Sequence, residues 1–234
     1  MNETIYLQPG FILKYRNYRE TSIILEVFTR DYGKINLLAK GVRKPKSKTA
    51  GLLQPFLPLL ISFTGKTELK ALIHVEFLNM KISHLAGVAL YCGFYVNELT
   101  GHFLHVYDPN PDVFNDYFKC LQALSEAGQQ EIALRQYELN LLENLGYGVQ
   151  LGFDPSLQKP VEANKHYEFY VEQGPIETTN GQFSGQILLA IDNREFAEIK
   201  VRSAAKIIMR RVIDFYLQGK PLKSRSVINK IIKL

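Results

Sequence analysis

The sequence predicts an α+β protein, with an N-terminal barrel of five strands over residues 1–80 and a mainly α-helical part over 81–234. Three observations carry this. Short β-branched and aromatic stretches separated by turn residues fill the first 80 positions, the apolar spacing switches to threes and fours from Ile82, and the texture changes again over about 146–180, where a small β-hairpin is expected.

Taken in order, Tyr6–Arg16 and Thr21–Thr29 read as strands, and Asp31-Tyr32-Gly33 turns the chain into a third at Ile35–Ala39. Leu57–Phe63 and Leu69–Phe77 supply two more, joined around Thr64-Gly65-Lys66. Five strands in so short a span leave exposed edges unless they close, and a small OB-type barrel is the common five-stranded solution. Between the third and fourth strands lie Lys40, Arg43, Lys44, Lys46 and Lys48, with no acidic residue among them. Pro45, Gly41 and Gly51 keep this stretch out of a helix, so it is expected to project from the barrel as a mobile cationic loop suited to phosphates.

Helical spacing begins with Leu85–Leu104. Asn110-Pro111-Asp112 carries a cap residue, a proline at the first position and an early acid, so a second helix should open there and stop near Gly128. A third spans Gln130–Leu145, with Gly146 as its stop. His166–Val171 looks like a strand and Gln173-Gly174-Pro175 its turn. Ser184 should cap a short helix to Ile191, Ser203–Leu217 is amphipathic, Gly219 and Pro221 end it, and a last helix runs over Ser224–Ile232.

Charge is unevenly spread. Positions 1–82 hold 13 basic and 6 acidic residues, 83–200 hold 6 and 16, and 201–234 hold 9 and 1, giving +7, −10 and +8. A basic head and tail around an acidic middle suggest that only some surfaces meet a polyanion. The longest apolar run, Phe56–Phe63, is broken by Pro58 and far short of the roughly 20 residues a membrane span needs, and no secretory signal opens the chain. Cys92 and Cys120 fall in apolar helical segments, which fits buried thiols in a reducing cytoplasm.

Catalytic patterns are absent from the reading. Gly65-Lys66-Thr67 resembles the end of a phosphate-binding loop, but Leu60 stands where its first glycine belongs and the segment joins two strands. His102 and His105 could share a helix face, either as an exposed polar pair or as two ligands of a metal with no third nearby. Tyr15, Tyr18, Phe28 and Tyr32 interleave with Lys14, Arg16, Arg19, Arg30 and Lys34, the mixture of rings and cations used by single-strand binders, although some of these rings must fill the core.

The chain resembles the RecO family of bacterial recombination mediators. The likeness rests on Glu20-Thr-Ser with Val27-Phe-Thr, Ala39-Lys-Gly-Val-Arg with Pro45-Lys-Ser, Leu53-Gln-Pro-Phe, Leu90-Tyr through Tyr95-Val-Asn-Glu-Leu, Glu138-Leu through Leu145-Gly-Tyr-Gly, and Gly219-Lys-Pro-Leu-Lys-Ser-Arg. It implies an OB domain at 1–80 and a helical domain at 81–234, no enzymatic activity, and a cytoplasmic protein associated with the nucleoid during repair. It further implies binding of single- and double-stranded DNA, annealing of complementary strands, contact with the acidic C-terminal tail of single-stranded DNA-binding protein (SSB), and partnership with RecR in loading RecA. Many members hold zinc through four cysteines in the segment matching Gly146–Glu172. This chain has none there, so it resembles the branch without a metal or other cofactor, and packing should hold the hairpin unaided.

The expected DNA contacts are Lys40, Arg43, Lys44, Lys46 and Lys48, with Lys14, Arg16 and Arg19 as lesser candidates. For the SSB tail, Arg135 on a leucine-rich helix is expected to meet Lys220, Lys223 and Arg225 around an apolar pocket. The alternative for Arg135 is an internal ion pair with Glu131 or Glu138. Two rival readings remain, a generic OB protein for single-stranded nucleic acid, including RNA, and a nuclease with a dispersed active site.

Overall fold

A computed structural model describes residues 4–232, with side chains as far as Val227. Five strands, β1 (Thr4–Tyr18), β2 (Ser22–Thr29), β3 (Gly33–Ala39), β4 (Leu59–Thr64) and β5 (Leu69–Phe77), close into a barrel in the order β1-β2-β3-β5-β4. All pairings are antiparallel except β3 with β5. β1 is longer than its alternation predicted because its two halves serve different neighbours: Thr4–Gly10 pairs with β4 and Gly10–Tyr18 with β2. One strand thereby closes the barrel and removes both edges.

Inside the barrel, β3 buries alternate residues, Ile35, Leu37 and Ala39, beside Leu25, Val27, Leu59 and Ile61. β2 is apolar on both faces for a reason. Leu25 and Val27 point into the barrel, whereas Phe28, fully buried, lies outside it against Phe114 and Tyr117 at ring separations of 5.3 and 6.1 Å. Phe11 of β1 meets the same two rings at 5.3 and 5.0 Å.

Both partners belong to α2 (Pro111–Leu124), which with α1 (Val88–Phe103), α6 (Lys223–Ile232) and the barrel makes one compact unit, taken up to Glu126 and resumed at Leu222. α1 begins three residues later than its apolar spacing suggested, after Gly87 at φ 55° and ψ −130°. Pro111 opens α2 as expected, but Asn110 makes no cap bond; its amide donates to the Asp108 carbonyl at 3.0 Å. The α1–α2 connector is stitched to the barrel, with the Tyr107 N–H donating to the Lys34 carbonyl at 3.0 Å. Gly33 permits this approach, since at φ 64° a Cβ would stand 2.2 Å from the Asp108 carbonyl oxygen.

Ala127–Pro221 forms the second compact unit. It holds α3 (Gln130–Asn144), the small strands β6 (Phe153–Asp154) and β7 (Lys159–Pro160), the sheet β9-β8-β10 (Gly174–Glu177, His166–Tyr170, Phe183–Ser184), α4 (Gly185–Asp192) and α5 (Ile199–Tyr216). The hairpin expected at His166 is present and gains a third strand, and Ser184 caps α4 by accepting from the Ile187 N–H. α5 starts four residues before Ser203 and buries Val201, Ala205, Ile208, Met209 and Val212 along one stripe. No helix among the described residues is long and apolar enough to cross a membrane.

Candidate nucleic-acid interface

The segment between β3 and β4 is a folded arm and not the projecting loop its composition suggested. Val42 and Leu53, 7% and 4% exposed, belong to the barrel core, so the arm is pinned at two apolar points. Arg43, Lys44, Lys46 and Lys48 lie between those pins, and Lys40 just before the first. Turn bonds from the Lys44 N–H to Gly41 O and from the Ser47 N–H to Lys44 O, both 3.2 Å, order the stretch, and Lys46 sits at φ 66°. Lys40, Arg43, Lys44, Lys46 and Lys48 are all exposed, and among the described residues none has a carboxylate partner. Five uncompensated charges on a pinned arm raise a positive potential that no internal acid quenches.

The arm is also tied to the β1–β2 turn. The Arg43 N–H donates to the Thr21 carbonyl at 2.9 Å and its guanidinium to the Arg19 carbonyl at 3.3 Å. Arg19, at φ 51°, lies over the Tyr18 ring at 5.2 Å. Arg19 and Arg43 are thus brought together.

Lys14 and Arg16 line a cleft of about 420 Å³ with Asn36 and Glu68. Lys14 is 72% exposed and pairs with Glu26 at 3.0 Å, an exposed pair that stabilises little and can exchange partners. The four rings separate by burial. Phe28 is core, Tyr32 stands edge-on to Phe63 at 5.7 Å, Tyr18 carries Arg19, and Tyr15 is 54% exposed. Lys34 is structural: burial holds its pKa below the ordinary lysine value, and its ammonium donates to the Gly101 carbonyl.

Other expectations resolve locally. Gly65-Lys66-Thr67 joins β4 to β5, and Thr67 Oγ1 donates to Leu69 O at 2.9 Å. His105 lies beyond the end of α1, so it shares no helix face with His102. No cluster of three His, Cys, Asp or Glu side chains able to hold a metal is found among the described residues. Both cysteines are buried, and neither is in a disulfide.

Of the tail candidates, Arg135 is 8% exposed and pairs with Glu138 at 2.8 Å, the internal pair named as its alternative. Lys220 is exposed in the second unit. Lys223 and Arg225 belong to α6 in the first, where Arg225 lies 5.7 Å from the Tyr95 ring. Glu98 of α1 accepts from the N–H groups of Lys223 and Ser224, each at 2.9 Å, and from Ser224 Oγ at 2.6 Å. Burial pushes the Glu98 carboxyl up, but these bonds outweigh it and hold the pKa below the usual range.

The 146–180 segment is held by more than apolar packing. Asp154, fully buried, accepts from Ser156 Oγ at 2.6 Å and from the N–H groups of Ser156, Leu157 and Glu177 at 2.8, 3.2 and 2.8 Å. Burial alone would raise its pKa; the Ser156 hydroxyl and the three backbone donors hold it below the ordinary aspartate value instead. Asp154-Pro155-Ser156 carries the local signal for this, an Asx-turn signature.

Residues 1–80 match the family model described as "Recombination protein O N terminal" and residues 84–226 that described as "Recombination protein O C terminal". The chain belongs to the RecO family. It is similar to the DNA repair protein RecO of Methylococcus capsulatus, 39% identical over 95% of this chain and 93% of the relative, and to that of Klebsiella pneumoniae, 40% identical over 96% and 93%. The RecO protein of Dechloromonas aromatica is 38% identical over 97% and 96%. The two RecO models divide the chain near residue 80, whereas the compact units place the barrel with α1, α2 and α6.

Proposed function

We propose that this chain is a DNA repair and recombination mediator that binds single- and double-stranded DNA largely independently of sequence through its basic arm, and anneals complementary strands. The carrying observation is that Lys40, Arg43, Lys44, Lys46 and Lys48 are exposed and have no carboxylate partner among the described residues, with Arg19 drawn beside them. Neutralising phosphates on two strands lowers their mutual repulsion, which is most of what annealing requires. Lys14 and Arg16 add lesser contacts. With RecR, the protein would load RecA on SSB-coated gaps, acting in the cytoplasm at the nucleoid, with an OB domain over 1–80 and a helical domain over 81–234.

For the SSB tail we keep Lys220, Lys223 and Arg225 as the exposed or part-exposed cations; Arg135 would take part only by exchanging its bond to Glu138 for one to the tail. A labelled tail peptide titrated against Lys223→Glu and Arg135→Glu tests this, and unchanged affinity in both removes the site.

Annealing of complementary strands coated with the cognate SSB is the deciding assay for the mediator reading. If about four to six phosphates are engaged, log K should fall with log salt at a slope of roughly −3 to −4 on single strands. A flat salt response, or wild-type affinity in the Arg43→Ala, Lys44→Ala, Lys46→Ala triple variant, would rule the arm out. Binding without annealing would favour the generic single-strand OB protein, which competition between RNA and DNA then refines.

A further inference from the structure

Resting on the DNA-binding reading, we infer that Tyr15 is a base-stacking residue at the root of the basic arm, and that it gives single strands an affinity increment the arm's charges cannot supply. Strand register places the ring. Tyr15 stands opposite Leu25 in the β1–β2 ladder, and Leu25 fills the barrel, so the Tyr15 side chain leaves β1 on the inward face. Lys14 and Arg16, opposite Glu26 and Ile24, leave it on the outward face. Yet Leu25 is fully buried and Tyr15 is 54% exposed. The difference follows from pairing. β1 loses β4 as a neighbour after Gly10, so from Lys14 onward it is paired on one side only and its inward side chains stand at the rim of the barrel.

The arm is seated at the same rim. Its Val42 and Leu53 share one core cluster with Ile23, Leu25 and Leu37, and Arg43 is bonded to the carbonyls of Thr21 and Arg19 at the end of the β1–β2 hairpin. The four strand residues from Tyr15 to Arg19 cover at most about 14 Å, a distance that a few nucleotides bridge. Asn17, the next residue on the inward face, is exposed and leaves that path open.

A single ring exposed on a surface is ordinary; what marks this one is its place beside five cations without carboxylate partners. Of the four rings interleaved with cations in this part of the chain, three are engaged: Phe28 in the core, Tyr32 against Phe63, and Tyr18 beneath Arg19. Tyr15 has no ring, cation or hydrogen-bond partner among the described residues. Phosphates held on the arm therefore leave a neighbouring base free to lie on its face, whatever the base, since every base has one. Paired bases are already stacked on one another inside a duplex and cannot reach the ring, so the contact separates single strands from double strands.

The test is equilibrium binding of the full chain to a mixed-sequence single strand, an abasic sugar-phosphate strand of equal length, and a duplex. Wild type should bind the strand with bases about fivefold or more tightly than the abasic one. Tyr15→Ala should close that gap by weakening only the strand with bases, and Tyr15→Phe, which keeps the ring, should restore it. The chain has no tryptophan, so Tyr15→Trp supplies a lone indole whose emission the strand with bases should quench and the other two ligands should not. Equal wild-type affinities for the two single strands, or a Tyr15→Ala variant that weakens all three ligands alike, overturn the inference; if salt-dependent binding persists in wild type, the phosphate reading of the arm stands. No binding of any DNA would overturn both.

Discussion

Asn97 donates through Nδ2 to the Leu13 carbonyl at 2.8 Å, and its Oδ1 accepts from the Tyr117 hydroxyl at 2.6 Å. The register of β1 against β2 shifts between Ile12 and Lys14, and a bulge of this kind leaves a backbone carbonyl without its ladder partner. α1 supplies the missing donor through one buried amide, and α2 orients that amide. The barrel is thereby specified from outside itself, and Lys14, Tyr15 and Arg16 follow directly after the bulge.

Asn97→Ala should therefore destabilise the first unit by about 1–3 kcal/mol, the cost of a buried carbonyl and hydroxyl losing their partner. Tyr117→Phe removes one bond and should cost about 1 kcal/mol. Denaturant unfolding followed by far-UV circular dichroism measures both, and a wild-type midpoint for Asn97→Ala would show that the bulge needs no external donor.

Leu53 tests whether the arm is pinned. Leu53→Ala should cost about 2–4 kcal/mol, as for other core leucines, and weaken DNA binding although no charge is altered. If stability falls while salt-dependent affinity is unchanged, the arm does not need its apolar anchor to present Arg43 and its neighbours.

Asp154 makes the second unit sensitive to acid. Its folded pKa lies below the unfolded value of roughly 3.9, so its contribution is fully present above about pH 4 and is lost as pH falls through the folded value. Asp154→Asn can keep an oxygen for the Ser156 and Leu157 donors but turns its amide nitrogen toward the Glu177 N–H, which needs an acceptor. It should cost about 1–3 kcal/mol at neutral pH and flatten the acid limb of stability against pH, as measured by thermal unfolding at a series of acidic pH values.

Glu98 acts as the cap of α6. Glu98→Ala should cost about 0.5–2 kcal/mol and increase amide hydrogen exchange in the first turn of α6, at Lys223 to Ser226. Exchange at wild-type rates there would mean that α6 is held by its packing on α1 alone.

Much of this architecture is legible along the chain because it is local. The strand at β5 and the third helix follow from apolar periodicity and flanking glycines, and the cationic arm follows from charges that lie within nine positions of one another. Where burial is two-sided the pattern blurs, as in β2, where Leu25 and Val27 fill the barrel and Phe28 packs outside it against α2. Asn110 illustrates the limit of a local signal, since its side chain found a nearer carbonyl than the helix it was expected to cap.

The order of residues alone determined the class of the fold, the positions of most elements, the family likeness and the clustering of positive charge, all of which depend on neighbours a few positions apart. Only the tertiary structure decided that the arm is anchored through Val42 and Leu53, that Arg19 joins Arg43, that Arg135 is turned inward to Glu138, and that Lys14 and Arg16 share a cleft with Asn36 and Glu68. Apart from the local turn to Glu138, those relations join segments about ten to fifty residues apart, and each is set by which faces strand pairing and burial leave open, a property that periodicity does not encode.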